Sequence, residues 1–209
     1  MKLTILRGVH DQSLYEEVVN YCEDVDIIFF ELLAEASYKS NFKYNANLIS
    51  YNLDKTDPGL AQHMSTTEDA YERMIWHFRG KRKNFIPVDR TFENHEDYIK
   101  YLNTQFYEPD TAIYNTYFKD KDLDKLKYEL TIRLRNSAIE IFDRDKLVAA
   151  QVDKVIKQTI EKKLGYNNFL LIQGYAHDSK KHIQELLPNI NIETVVFNKY
   201  LINKVTQNQ

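Results

Sequence analysis

Five short apolar runs punctuate the chain, each ending in polar residues, with stretches of helical period between them. They are Leu3-Thr4-Ile5-Leu6, Asp26-Ile27-Ile28-Phe29-Phe30, Asn84-Phe85-Ile86-Pro87-Val88, Phe169-Leu170-Leu171-Ile172 and Ile192 to Phe197. Their length and their β-branched and aromatic content suit strands, and the unbroken runs suit strands covered on both faces. Pro87 removes a ladder donor from the third.

Between these runs the apolar residues fall at helical spacing. Ser13 and Glu16 form a capping-box pair beside Leu14, Val18 and Cys22. Ser65 and Glu68 form another, ahead of Tyr71, Met74, Ile75 and Phe78, with Gly80 in the C′ position. Asn94 and Asp97 open a helix expected to bury Tyr98, Ile99, Leu102 and Phe106. From Leu123 the period runs through Leu126, Leu130, Leu134, Ala138, Ile141 and Phe142. It resumes through Val148, Val152, Val155, Ile156 and Ile160 to Gly165, as one very long helix or two joined near Asp143-Arg144-Asp145. Ser179 is expected to cap a last helix carrying Ile183, Leu186 and Leu187.

Strands alternating with helices predict an α/β fold, a three-layer α/β/α arrangement with a largely parallel central sheet and extra helical insertions. The whole chain, 1–209, reads as a single domain. Residues 37–64 have weak periodicity, many Asn and Tyr, and a turn signal at Asp57-Pro58-Gly59, which makes them a candidate lid over the strand edge. Residues 94–122 read as a helical insertion, aromatic-rich from 107 to 118.

Composition narrows the function classes. A chain of 209 residues can bury roughly 70% of its unfolded surface. A net charge of -3 with mixed signs gives no pull towards nucleic acid or anionic lipid. Cys22 is the one cysteine, which excludes an internal disulfide and a cysteine zinc cage and fits a reducing compartment. No apolar run approaches ~18 residues, and the N-terminus lacks a signal h-region, so a cytoplasmic location without membrane contact is expected. The basic run Arg79-Gly80-Lys81-Arg82-Lys83 suits a solvated helix end.

The polar residues that follow the strands carry the chemistry. On parallel strands, His10, Glu31, Asp89 with Arg90, and His177 all emerge at the carboxyl edge, where open α/β sheets bind ligands. Two imidazoles and one or two carboxylates suit a divalent metal such as Zn²⁺, Mn²⁺ or Co²⁺, which lowers the pKa of bound water and polarises a carbonyl. Without a metal, Glu31 or a histidine can act as general base while an arginine stabilises an oxyanion. The aromatic residues Tyr98, Tyr101, Phe106, Tyr107, Tyr114, Tyr117 and Phe118 are either core, an oligomer contact, or the wall of a peptide or haem groove. Tyr175, beside His177, is a buried tyrosine with a partner or a haem ligand, and His182 is expected to face solvent.

Four of these segments resemble the TraB/Tiki group and the related erythromycin-esterase/ChaN-like superfamily. Gly174-Tyr175-Ala176-His177 resembles its late strand-Gly-x-x-His motif, and Asp26 to Glu31 its strand ending in Glu. Phe85-Ile86-Pro87-Val88-Asp89-Arg90 is similar to its "LIDR" strand, and Arg144-Asp145-Lys146-Leu147-Val148-Ala149 to its "RDRxMA" helix start. The early motif departs, since Arg7 stands where the family has its first Gly before His10. The resemblance implies a metal-dependent hydrolase of peptide or ester bonds, or a binding or regulatory protein for haem, a small metabolite or a peptide. It implies His10, Glu31 and His177 around the metal, Asp89 as an addition, Arg144 as a charge or orientation partner, and Glu31, Arg144 and His177 as the catalytic set.

Overall fold

In the computed structural model the described residues are 1–8, 18–31, 34–35, 77, 84–92 and 94–196. His10, the candidate lid at 37–64, both of the first two capping boxes and the basic run at 79–83 lie outside them.

Five strands of the described residues form one parallel sheet: β1 (Lys2–Gly8), β2 (Ile27–Phe30), β4 (Asn84–Pro87), β6 (Asn168–Gly174) and β7 (Asn191–Val196), in the order β4-β2-β6-β1-β7. Two short strands, β3 (Ala34–Glu35) and β5 (Thr91–Phe92), pair separately. The helices are α1 (His95–Leu102), α2 (Glu108–Asn115), α3 (Leu123–Glu161) and α4 (Lys180–Leu186), and residues 18–21 are helical. A π-helical turn follows each of α1 and α2, at Asn103–Tyr107 and Thr116–Asp120. The α/β fold expected from the alternation of runs is the fold observed.

Alternate residues of the central strands face opposite layers. Leu3, Ile5, Ile27, Phe29, Phe169 and Leu171 pack with Val148, Ala149, Val152 and Ile156 of α3 and with Ile183 of α4. On the other face Leu6, Ile28, Phe30, Leu170 and Ile172 are also buried, which is why these strands read as unbroken apolar runs. Among the described residues β4 and β7 form the edges, and β4 pairs there on one side only, which accommodates Pro87.

The long period from Leu123 is one helix of 39 residues, about 58 Å long, without a break at Asp143-Arg144-Asp145. The sheet under it is far shorter, since its strands run four to seven residues at about 3.3 Å each. The N-terminal half therefore overhangs the sheet. Leu130, Leu134 and Phe142, expected inside from their spacing, are exposed, Leu134 at 70%. Periodicity marks the apolar face of a helix; it does not say how far the opposing layer extends. Ile99 and Leu186 are likewise exposed. The C-terminal end comes before Gly165: Lys163 takes the left-handed conformation at φ 52, and Lys163 N and Leu164 N donate back to Ile160 and Thr159 carbonyls.

Of the caps, Asn94 behaves as expected, accepting from Asp97 N at 2.9 Å and donating to the Asp97 carboxylate. Ser179 does not cap α4. Its hydroxyl donates to Gln173 Oε1 at 2.6 Å, a demand of the site rather than of the helix.

Candidate functional site

Three neighbouring strands deliver three charged or titratable side chains to one edge. Glu31 directly follows β2, Asp89 lies two residues past β4, and His177 three past β6. The ladder runs one residue beyond β2 and β4, through Glu31 N to Ile172 O and Val88 N to Phe30 O, both at 3.0 Å, so the backbone is fixed up to the reactive residues. After β6 the chain turns tightly, with His177 N donating to Gly174 O at 3.0 Å, and the turn swings the imidazole back over the edge.

The fourth contributor is α3. Arg144 donates from Nη2 to Glu31 Oε1 at 2.5 Å and grips Asp89 with Nε and Nη2. Asp89, fully buried, also accepts from Arg90 N at 2.6 Å. On the next residue of the helix, Asp145 Oδ1 lies 2.8 Å from His177 Nδ1 and Oδ2 accepts from Asp178 N at 3.0 Å. His177 Nε2 lies 3.0 Å from Glu31 Oε1, and Glu31 Oε2 accepts from Gly174 N at 3.0 Å. Asp89, Arg144, Glu31, His177 and Asp145 thus form one chain of alternating charge, all at least largely buried.

Burial by itself would push the His177 imidazole down. The hydrogen bonds with Asp145 and Glu31, and the Glu31 charge, overcome that and push it up to about 9. The ring is therefore imidazolium at neutral pH and donates from both nitrogens. For Glu31, burial acts to raise the pKa, and the His177 hydrogen bond and charge with the Arg144 guanidinium outweigh it, holding the carboxyl below its usual range. Burial likewise disfavours the Arg144 charge, and Asp89 and Glu31 more than compensate.

Arg7, at the end of β1, also braces the site. Its guanidinium donates to Tyr175 O at 2.8 Å and reaches Asp178 Oδ2 at 3.3 Å, bracketing the turn that carries His177. Gln173, also buried, donates to His177 O at 2.8 Å and accepts from Ser179. Tyr175 itself is 47% exposed with Arg7 6.0 Å from its ring centre. Beyond Asp89, Arg90 lies 4.8 Å over the Tyr101 ring, and both Arg90 and the Tyr101 hydroxyl bond Glu140 Oε1. Burial and the Glu140 contact raise the Tyr101 pKa.

No family model, no curated protein and no solved structure matches this chain.

Glu31, Asp89 and His177, expected at one edge, do meet there, and Arg144, which the resemblance gave as a charge partner, joins them from α3; His10 lies outside the described residues. Among the described residues no three of His, Cys, Asp and Glu are grouped to hold a metal. The donor chemistry agrees: both His177 nitrogens face carboxylates, and the Arg144 guanidinium occupies the place between Glu31 and Asp89 where a cation would sit. As they stand, these residues do not fit a divalent ion. Asp145 received no role from its sequence alone, although one signal was present. It lies three, four and seven residues before Val148, Ala149 and Val152, on the buried stripe, where a carboxylate must find a partner. Of the aromatic cluster, Tyr107, Tyr114, Tyr117 and Phe118 are exposed rather than core, and His182 is half-buried with its ring edge-on to Phe142 at 5.2 Å.

A cavity of about 260 Å³ opens over the network, lined by α3 residues between Arg133 and Arg144, by Gln105 and by His177. A larger one, about 440 Å³, lies between the second π-helical turn and the start of α3, away from these charges. No described helix is long and apolar enough to cross a membrane.

Proposed function

We propose that this chain is a hydrolase acting on a peptide or ester bond at the carboxyl edge of its sheet, as the resemblance to the TraB/Tiki and erythromycin-esterase/ChaN-like superfamily implies. One observation carries the proposal. Arg144 is held by Asp89 and Glu31 through Nε and Nη2, which leaves Nη1 with no partner among the described residues, on a residue that lines the cavity together with His177. A guanidinium fixed on one edge and open on the other is a preorganised donor for a carbonyl oxygen that becomes an oxyanion.

The His177–Glu31 pair supplies the proton chemistry. As water adds to the carbonyl carbon, the charge on oxygen is met by Arg144 Nη1. The C–N or C–O bond to the leaving group then breaks as that atom takes the imidazolium proton, and the proton lost by the attacking water goes to the His177–Glu31 pair and restores it. Asp145 holds Nδ1 and so keeps the ring in place through the cycle. The divalent Mn, Co or Zn ion that the resemblance implies takes no step in this scheme, and metal dependence is an arm of the test.

A second class, a binding or regulatory protein for haem, a small metabolite or a peptide, is favoured by a different feature: both His177 nitrogens are engaged within the protein. The two separate on one experiment. Wild type and Glu31→Gln are assayed on peptide and ester panels, with and without added divalent metal, with folding checked by circular dichroism. Turnover that falls by about 10²-fold or more in a folded Glu31→Gln variant supports the hydrolase. A variant as active as wild type would sink it, and saturable ligand binding without turnover would support the second class.

A further inference from the structure

The residues around the cavity over the network are polar by name, yet the surface that they turn to it is mostly hydrocarbon. Their bonding accounts for this. The Arg133 guanidinium bonds Asp110 Oδ1 through Nε at 2.9 Å and Ser137 Oγ through Nη1 at 2.8 Å, and has a further contact besides. Glu140 Oε1 is shared by Arg90 and the Tyr101 hydroxyl. Arg144 commits Nε and Nη2 to Asp89 and Glu31, and both His177 nitrogens face carboxylates. With their heads drawn to these partners, the long side chains offer their methylene stems to the space, beside Ile141.

A charged group moved against such a wall exchanges its hydration for methylenes, whereas an aliphatic one gains by leaving water. Arg144 Nη1 remains for the carbonyl oxygen, as proposed above, and so fixes the end at which the reacting carbon lies. Size sets the length of the rest. About 260 Å³ is the room of about eight water-sized groups at roughly 30 Å³ each.

We infer that the cavity takes uncharged aliphatic acyl groups, straight chains of no more than about eight heavy atoms with the carbonyl oxygen at Arg144. This rests on the hydrolytic site proposed above, since it names the acyl part of what that site cleaves. Esters and amides of short fatty acids meet the description; acyl groups that carry a second carboxylate do not.

The test uses methyl ketones, which present the acyl group and cannot be hydrolysed. Acetone and the methyl propyl, methyl pentyl and methyl octyl ketones are titrated into the full chain by ligand-observed NMR. Affinity is expected to rise about fourfold with each methylene as far as methyl pentyl ketone and to level off by methyl octyl ketone. Ile141→Phe should move the plateau to a shorter chain and Ile141→Ala to a longer one. Affinity that does not change with length, or that climbs unbroken through methyl octyl ketone, would overturn the inference. So would no binding, a plateau unmoved in both variants, or a preference for levulinate, in which a carboxylate replaces the end methyl of methyl propyl ketone. Turnover of nitrophenyl acetate and hexanoate in the same samples reports on the hydrolase separately. Turnover with flat ketone affinities overturns the inference and spares the enzyme; length-dependent ketone binding without turnover does the reverse.

Discussion

Arg144→Gln is the substitution whose consequence follows most directly from the structure. The guanidinium makes three charged contacts, two with Asp89 and one with Glu31, and both carboxylates are buried, Asp89 completely. Glutamine is shorter and uncharged. The change removes the positive charge that compensates both acids and takes away two of the donors on Asp89. Breaking a buried ion pair from one side costs about 3–5 kcal/mol, because the remaining charge stays in a medium of low dielectric. Domains have roughly 5–15 kcal/mol of stability in total, so this variant should fold yet lose a large fraction of it. Equilibrium urea denaturation reads the change as a lower midpoint with an unchanged slope. Adding Asp89→Asn on the Arg144→Gln background neutralises the stranded acid. The double variant should recover stability, with a coupling of about 2 kcal/mol between the two positions. A loss below about 1 kcal/mol in Arg144→Gln, or no recovery in the double variant, would refute the idea that Arg144 is the keystone of the network.

The other expectations concern the two ends of that network. His177, raised from 6.5 to about 9 on folding, adds stability that is fully present below pH 6.5 and disappears as pH rises through 9, at most about 3 kcal/mol. Glu31, lowered on folding, adds stability that is present above its unfolded pKa of 4.5 and is lost as pH falls through its folded one. Urea midpoints across pH should therefore peak between these limits, and Asp145→Asn should flatten the alkaline limb; an alkaline limb unchanged in that variant would remove Asp145 from the account. Arg7→Gly should release the turn at residues 175–178 and increase hydrogen exchange there, while the exchange of β2 stays as it was. Unchanged exchange in the turn would show that the Arg7 contacts do not restrain it.

Much of this arrangement was legible before any coordinates. Short apolar runs buried on both faces marked β1, β2 and β6, the β-branched run marked β7, and the polar residue after each of three neighbouring parallel strands had to fall on one edge. Glu31, Asp89 and His177 were found this way, while Arg144 came from the resemblance of its helix. Partners within the site were harder to see. Asp145 and Arg144 are adjacent on α3 yet serve different acids and bases, because one reaches across β2 and β4 and the other towards the turn after β6. Ser179 looked like a cap by position, but a buried glutamine took its hydroxyl. The overhang of α3 was invisible for a related reason: Leu130 and Leu134 carry the same period as Val148 and Val152, and only the extent of the sheet distinguishes them. Local pattern reports which face of an element is apolar, whereas length, partner and depth are set by the other elements.

The central claim is that His177 rests as an imidazolium between Glu31 and Asp145. Long-range ¹H–¹⁵N NMR of the imidazole nitrogens through a pH series tests it most directly, on wild type, Glu31→Gln and Asp145→Asn. Both His177 nitrogens should remain protonated through neutral pH and titrate near 9, with the midpoint falling in each variant. A His177 that titrates near 6.5 in wild type, or one indifferent to both carboxylates, would contradict the network and with it the proton chemistry assigned to the site.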